Sequence, residues 1–204
     1  MQKFKEILKP LLDETYSKEL KRGDYLYHMG DDPKGIFYIE EGLVGLFHLS
    51  ESAKESFLRV FSEGFILGHR SLFAEEPYHA SSIALSKTTY KFIPKGLCSS
   101  LCKQHPEFLK AVAMTLAKDL RAAELRIAGL ASHSAQERIA ETLVYLKLKY
   151  PQQVWTRKEI AEYSGSTFES VTRLMSKLEE EGAIHKSGRD FEILNMKALL
   201  NLKH

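Results

Sequence analysis

The sequence predicts an α+β protein: a strand-rich first half, a long connecting helix, and a helix–turn–helix followed by a β-hairpin. Three observations carry that prediction. Between Leu20 and Pro94, glycines 23, 30, 35, 42 and 45 punctuate short runs rich in Tyr, Phe, Ile and Leu, the mark of short strands joined by tight turns. From Pro106 to Ser132, Phe108, Val112, Leu116, Leu120, Ala123, Ile127 and Leu130 recur every three or four residues, the period of one helix face. From Thr156 to Gly182, two short helical patterns flank a Ser164-Gly165-Ser166 turn.

The elements follow in order. The opening MQKFKEILKPLLDE has apolar residues at helical spacing but charges throughout. It lacks the apolar run and cleavage site of a signal peptide, and no stretch approaches the ~20 apolar residues of a membrane span. A cytoplasmic protein with no membrane partner is expected. The stretch LKRGDYLYHMGDDPKGIFYIEEGLVGLFHL reads as successive strands of a barrel or jelly roll. Pro106 suits a first helical turn. The helix it opens carries Ala111, Ala113, Ala117 and Ala122, which let another backbone approach closely. Such a seam packs on the chain's own core or on a symmetric partner. Its length favours the partner, with Val112, Leu116, Leu120, Ala123, Ile127 and Leu130 as a homodimer face. Ser132–Ala135 reads as a hinge, AQERIAETLVYLKLKYP as a helix ended by Pro151, and MKALLNL as a tail helix. Three units are expected: 1–105, 106–132 and 133–204.

The helix–turn–helix carries the most specific chemistry. Ile160 faces inward on its first helix, Ala161 is small where two helices must cross closely, and Gly165 suits a left-handed turn. Thr167 can cap the second helix by accepting from the Ser170 backbone N–H. Val171, Leu174 and Leu178 form that helix's buried stripe. Phe168, Glu169, Thr172 and Arg173 then cluster near its N-terminal end, where a recognition helix meets base edges in the major groove. Arginine can donate two hydrogen bonds to guanine, and glutamate can accept from cytosine N4. Four residues apart, Glu169 and Arg173 share a face and can hold each other in place. Two strands around Ile184-His185 and Phe191-Ile193, joined through Ser187-Gly188, make a wing. Arg157, Thr167, Lys177, Lys186 and Arg189 are the candidate phosphate contacts. From Pro151 onward eight basic residues balance eight acidic ones, so placement of charge must decide affinity for double-stranded DNA.

Composition excludes other classes. The chain has 204 residues and a formal net charge of +2, with no nucleophile–base pair, metal-ligand spacing or phosphate-transfer loop to suggest an enzyme or a required metal. Its two cysteines, Cys98 and Cys102, are too few for an iron–sulfur cluster. One helical turn apart and close to His105, they read as packing residues, with a thiol switch or a weak metal site as the alternative.

The chain, over nearly its whole length, resembles the Crp/Fnr family of bacterial transcription regulators. KRGDYLYHMGDDPKGIFYIEEGLVGLF is similar to the family's cyclic-nucleotide-binding-type β-roll, a double-stranded β-helix. The helix from Pro106 resembles its dimerisation helix. ERIAETLVYL and TRKEIAEYSGSTFESVTRLMSKLEEEGAI resemble its winged helix–turn–helix. The resemblance implies that Glu169 and Arg173 read bases, with Phe168, Ser170 and Thr172 beside them. It further implies a homodimer on a pseudo-palindromic promoter site, with RNA polymerase as a partner. T-F-E-S-V-T-R is closer to the Fnr-side recognition helix and points to a TTGAT-like half-site. Ser164 and Ser166 are more polar than the family's turn usually is.

The resemblance also locates an effector pocket, and here the chain departs from cAMP-binding relatives. His69 follows Gly68 where those relatives have a glutamate for the ribose. His79-Ala80 stands for their Arg-Ser, and Ala123-Glu124 for the Thr-Ser pair that touches adenine. These changes argue against cAMP in the usual mode and leave the effector unidentified. Backbone N–H groups from Gly68 to Ser71, with His69, Arg70 and His79, can take another anion. The alternative is that these are ordinary polar residues, with an effector-independent regulator as the second function. A third is a winged-helix module used for protein contacts. No cofactor is required.

Overall fold

A computed structural model of the chain describes residues 6–8, 12, 15–52 and 54–203. Much of the amphipathic N-terminal pattern lies outside these residues. The chain divides into two compact units, 1–122 and 123–204. The helix expected over 106–132 runs unbroken from Pro106 to Ser132, and the division falls inside it.

The first unit holds two four-stranded antiparallel sheets. Strands β1 (Lys18–Leu20), β8 (Thr88–Pro94), β3 (Gly35–Glu41) and β6 (Ile66–Leu67) form one, in that order. Strands β2 (Tyr25–Tyr27), β7 (Ser81–Ala84), β4 (Val44–Leu49) and β5 (Glu55–Phe61) form the other. Sequence alternation explains the layering. In a strand, successive side chains point to opposite faces. Ile36 and Tyr38 of β3 join Leu8, Leu72, Ile93 and Phe108 in one core. Phe37 and Ile39 join Tyr27, Val44, Phe61 and Tyr78 in another. The β6 pair repeats the split, Ile66 to the first core and Leu67 to the second. Residues Gly35 to Ile39 of β3 are thus each buried on their own side, which is why GIFYI carries no charged residue, and the strand's end, Glu40-Glu41, leaves the core.

Helices α1 (His69–Ala74), α2 (Lys95–Gln104) and the first part of α3 (Pro106–Ser132) complete this unit. Gly68 sits at φ 80°, a left-handed turn that passes the chain from β6 into α1 and turns His69 inward. Cys98 is buried on α2, its thiol donating to the Ile93 carbonyl at 3.5 Å. Burial pushes that thiol up to about 11, and Cys102 is also raised by burial. These are packing thiols, held away from the reactive thiolate form.

The second unit comprises the end of α3, then α4 (Ala135–Lys149), α5 (Arg157–Ser164), α6 (Phe168–Glu180), the hairpin β9 (Ile184–Ser187) and β10 (Asp190–Ile193), and α7 (Met196–Leu200). A one-turn 3₁₀ helix, Asn201–Lys203, follows. Ile139, Leu143, Leu146, Trp155, Phe191 and Leu199 fill its core, each 2 % exposed or less. Among the described residues no helix is long and apolar enough to cross a membrane.

Candidate DNA-reading surface and sensor site

The candidate reading helix is built by its caps. Thr156 and Glu159 close a capping box at the start of α5, Thr156 Oγ1 accepting from Glu159 N at 3.1 Å and Glu159 Oε2 accepting from Thr156 N at 2.8 Å. Gly165 ends α5 at φ 62°, as a left-handed cap requires. Two arginines then take the exposed carbonyls of that helix end. Arg126 donates to the Tyr163 carbonyl at 2.6 Å and lies over the Tyr163 ring at 4.5 Å. Arg138 donates to Ser164 O at 3.0 Å and Gly165 O at 3.2 Å. Sequence reading missed both arginines. A cation near a helix C-terminus is their local signal, but the partner carbonyls lie 26 to 37 residues away. The SHSA segment is held too: Ser134 caps α4 through a box with Glu137, and Arg138 donates to the His133 carbonyl at 2.7 Å.

Thr167 caps α6, accepting from Ser170 N at 3.2 Å. Val171, Leu174 and Leu178 are buried as the stripe requires, and Met175 joins them. The opposite face presents Phe168, which is 50 % exposed, with Glu169 and Arg173 also exposed and Ser170 and Thr172 less so. Thr172 Oγ1 is enclosed and finds no partner among the described residues. Contrary to the sequence expectation, Glu169 and Arg173 form no ion pair with each other among the described residues. On an exposed helix such a pair contributes little, so both side chains are left for another partner.

Two hollows flank this helix. One of about 410 Å³ is lined by Ser134, Gln136, Ser170, Arg173 and Lys177. The other, about 250 Å³, is lined by Trp155, Arg157, Phe168, Gly188 and Arg189. Arg157, Lys177 and Arg189 therefore border the reading face. Lys177 also reaches Glu181 at 3.8 Å. Lys186 needs correction. Its ammonium meets Glu179 at 2.6 Å and its backbone N–H donates to the same carboxylate at 3.2 Å. This contact holds Glu179 below the usual carboxylate range. Lys186 thus pins the wing to α6, and a phosphate would have to compete with Glu179 for it.

The dimer face also divides. Val112 is 1 % exposed, packed into the first core with Phe108 and Ala111, and Leu116 packs partly against it. Val112 serves its own unit, so it is not a partner contact. Leu120, Ile127 and Leu130 are 61, 66 and 45 % exposed, as are Leu109, Met114 and Leu125 to similar degrees, and Ala123 is exposed.

In the first unit Arg70 and His79 come together, and His69 does not join them. Arg70 is exposed, meeting His79 Nδ1 at 3.0 Å and Glu76 at 3.4 Å. The His79 backbone carbonyl accepts from His48 Nδ1 at 2.9 Å. Burial first, then Arg70 and His48, lower the His79 imidazole below its ordinary value. Ser71 is buried and donates to the Pro77 carbonyl at 3.2 Å, and Ala80 is fully buried in the second core. His69, by contrast, faces inward and is 4 % exposed. Its Nε2 lies 3.9 Å from Asp119 Oδ2, and Arg59 meets the same carboxylate at 2.5 Å. Burial drives the His69 imidazole down to about 4, with Arg59 adding to the shift and Asp119 and the Ile66 backbone opposing it. The Ile66 contact falls short of hydrogen-bond geometry: neither ring nitrogen has a partner among the described residues. Arg59 and Asp119 were not legible as site residues in the sequence. Glu124 is exposed and, like Ala123, belongs to the second unit.

Comparison with known proteins agrees with this architecture. Residues 17–105 match the cyclic nucleotide-binding domain family, and residues 137–202 match the Crp-like helix-turn-helix domain. The chain is 26% identical over 195 residues to the transcriptional activator protein anr of Pseudomonas aeruginosa, covering 90% of this chain and 80% of that one. It is 29% identical over 175 residues to the cAMP-activated global transcriptional regulator CRP of Haemophilus influenzae, covering 80% and 77%. Among solved structures, a CRP/FNR family transcriptional regulator from Thermus thermophilus superposes with a TM-score of 0.78 at 26% identity, covering 92% of this chain and 98% of the other. FixK2 from Bradyrhizobium japonicum shares the fold at a TM-score of 0.81 and 20% identity, covering 93% and 98%. Two domain matches in this order, on a chain that carries the roll, the long helix and the winged helix–turn–helix, lead to one assignment: the chain belongs to the Crp/Fnr family of transcription regulators.

Proposed function

We propose that this regulator is a homodimer that reads a pseudo-palindromic promoter site in double-stranded DNA, working by binding and not by catalysis. One observation supports base reading above the rest. Glu169 and Arg173 stand exposed and unpaired to each other on the first turns of a capped helix. Those turns enter the major groove in helix–turn–helix complexes. Arg157, Thr167, Lys177 and Arg189 are the phosphate contacts in this reading. The exposed Leu120, Ile127 and Leu130 stripe supports a second copy as the partner of α3. RNA polymerase is the further partner, and the cytoplasm the site of action.

The effector is unidentified. The His79 ring, lowered by burial, offers no permanent charge to a cyclic phosphate. Ala80 is buried in the core, and His69 is enclosed. All three count against cAMP in the usual mode. The Arg59–Asp119 pair beside His69 favours the second reading, regulation with no bound effector.

The test is selection of binding sites from a random duplex pool by the purified full chain. The expected motif is an inverted repeat, with affinity falling steeply with salt. Arg173→Ala should cost about 1–3 kcal/mol and relax preference at one base pair per half-site. A uniform loss on every sequence would remove base reading, and no enriched motif would leave the winged helix as a protein-contact module.

A further inference from the structure

The sensor unit contains a charge cluster that the DNA reading does not use. Arg59 comes from β5, His69 from α1 and Asp119 from α3, so one cluster draws on three separate elements. The Arg59 guanidinium spans 2.5 Å to Asp119 while lying 4.9 Å from the Phe61 ring centroid and 5.9 Å from Phe65. The carboxylate and the guanidinium are about one-fifth and under one-third exposed, at 19 and 29 %. Aromatic faces and partial burial both strengthen an ion pair relative to the same pair in water. His69 closes the inner side, enclosed and without a hydrogen-bond partner among the described residues. A buried polar ring with no partner requires an explanation. Here it packs beside Asp119, 3.9 Å from the carboxylate, and backs the inner side of the pair.

We propose that Arg59 and Asp119, closed over His69, form an internal latch that holds α3 to the sensor roll and sets DNA affinity without a bound effector. Asp119 acts as a positioning residue. It touches no DNA in this scheme; it fixes the helix that continues into the second unit, where Arg126 of the same helix holds the turn before α6. A helix already pinned loses less freedom when the reading surface is ordered on DNA. Releasing it therefore lowers affinity. The inference rests on the DNA-binding reading above, so its test carries one readout that needs no DNA.

The experiment uses the full chain, with Asp119→Asn, the conservative Arg59→Lys, and the charge exchange Arg59→Asp with Asp119→Arg. Amide hydrogen exchange is followed along residues 112–122, and affinity is measured on the duplex selected by the wild type. Asp119→Asn should speed exchange there and weaken DNA binding, each by about tenfold. Arg59→Lys keeps the charge but loses the planar fork, so it should fall between. The charge exchange should recover most of both losses. If Asp119→Asn leaves exchange and affinity as they were, or if exchange speeds up with affinity unchanged, the latch is overturned. Failure of the exchanged pair to rescue a folded protein overturns it as well. If the wild type selects no duplex, the DNA reading falls on its own, and exchange alone decides whether the pair holds α3.

Discussion

Replacing His69 with phenylalanine should remove a specific part of the protein's acid sensitivity. The imidazole is held at about 4 in the folded chain, mainly by burial, against an ordinary value of about 6.5. The sign follows from proton counting. Between these values the unfolded chain binds a proton that the folded chain refuses, so folding weakens as pH falls. The contribution is fully present above about pH 6.5, is lost progressively on the way to about 4, and is constant below that. Across the whole window the loss is about 3 kcal/mol, and between pH 7.5 and 5.5 it is about 1.3 kcal/mol. Urea unfolding at those two pH values, followed by far-UV circular dichroism, measures it. The single tryptophan, Trp155, lies in the second unit, so its fluorescence reports the part of the chain that His69 does not enter. His69→Phe should lose about 1.3 kcal/mol less than wild type over that step, with His69→Leu as a smaller replacement against overpacking. At pH 7.5 either change should be near neutral or stabilising, because it removes a buried polar group that has no partner among the described residues. Equal pH slopes in wild type and both variants would refute the claim that the ring is buried neutral.

Other outcomes follow from single contacts. Gly165→Ala places a side chain at φ 62°, where its Cβ would meet Leu130 Cδ2 at 2.9 Å; the leucine tip can yield, so backbone strain dominates and the second unit should lose about 1–2 kcal/mol. Trp155 fluorescence on heating checks this, with a fall in midpoint of several degrees. Ser134→Ala removes one half of the capping box that starts α4 and should cost about 1 kcal/mol by the same assay. Ile127→Glu puts a charge on the exposed α3 stripe and should convert the proposed dimer to monomer in sedimentation velocity; an unchanged sedimentation coefficient would show that α3 is not a dimer contact. Its own unit should keep its stability, since Ile127 is 66 % exposed.

Local signals carried the elements well. The three- and four-residue spacing after Pro106, the left-handed Gly165 and the Thr167 cap are properties of short segments, and each is found where the spacing or residue type required. Contacts between distant segments were not legible. Lys186 looked like a free wing-tip cation, yet Glu179 on the preceding helix takes its charge. Val112 looked like a partner contact because its spacing matched the exposed stripe, and periodicity does not say which neighbour covers a face.

The sequence alone determined the order of roll, long helix and winged helix–turn–helix, and the residues that stand at the start of the reading helix. Periodicity and turn chemistry act over a few residues, so a chain displays them without folding. Tertiary structure decided where the charges go. It sent His69 inward and Arg70 outward from adjacent positions on α1, and it brought Arg59 to Asp119 across 60 residues of chain. The energy of a charge depends on burial and on its partner's distance, and neither exists until the strands and the helix have packed.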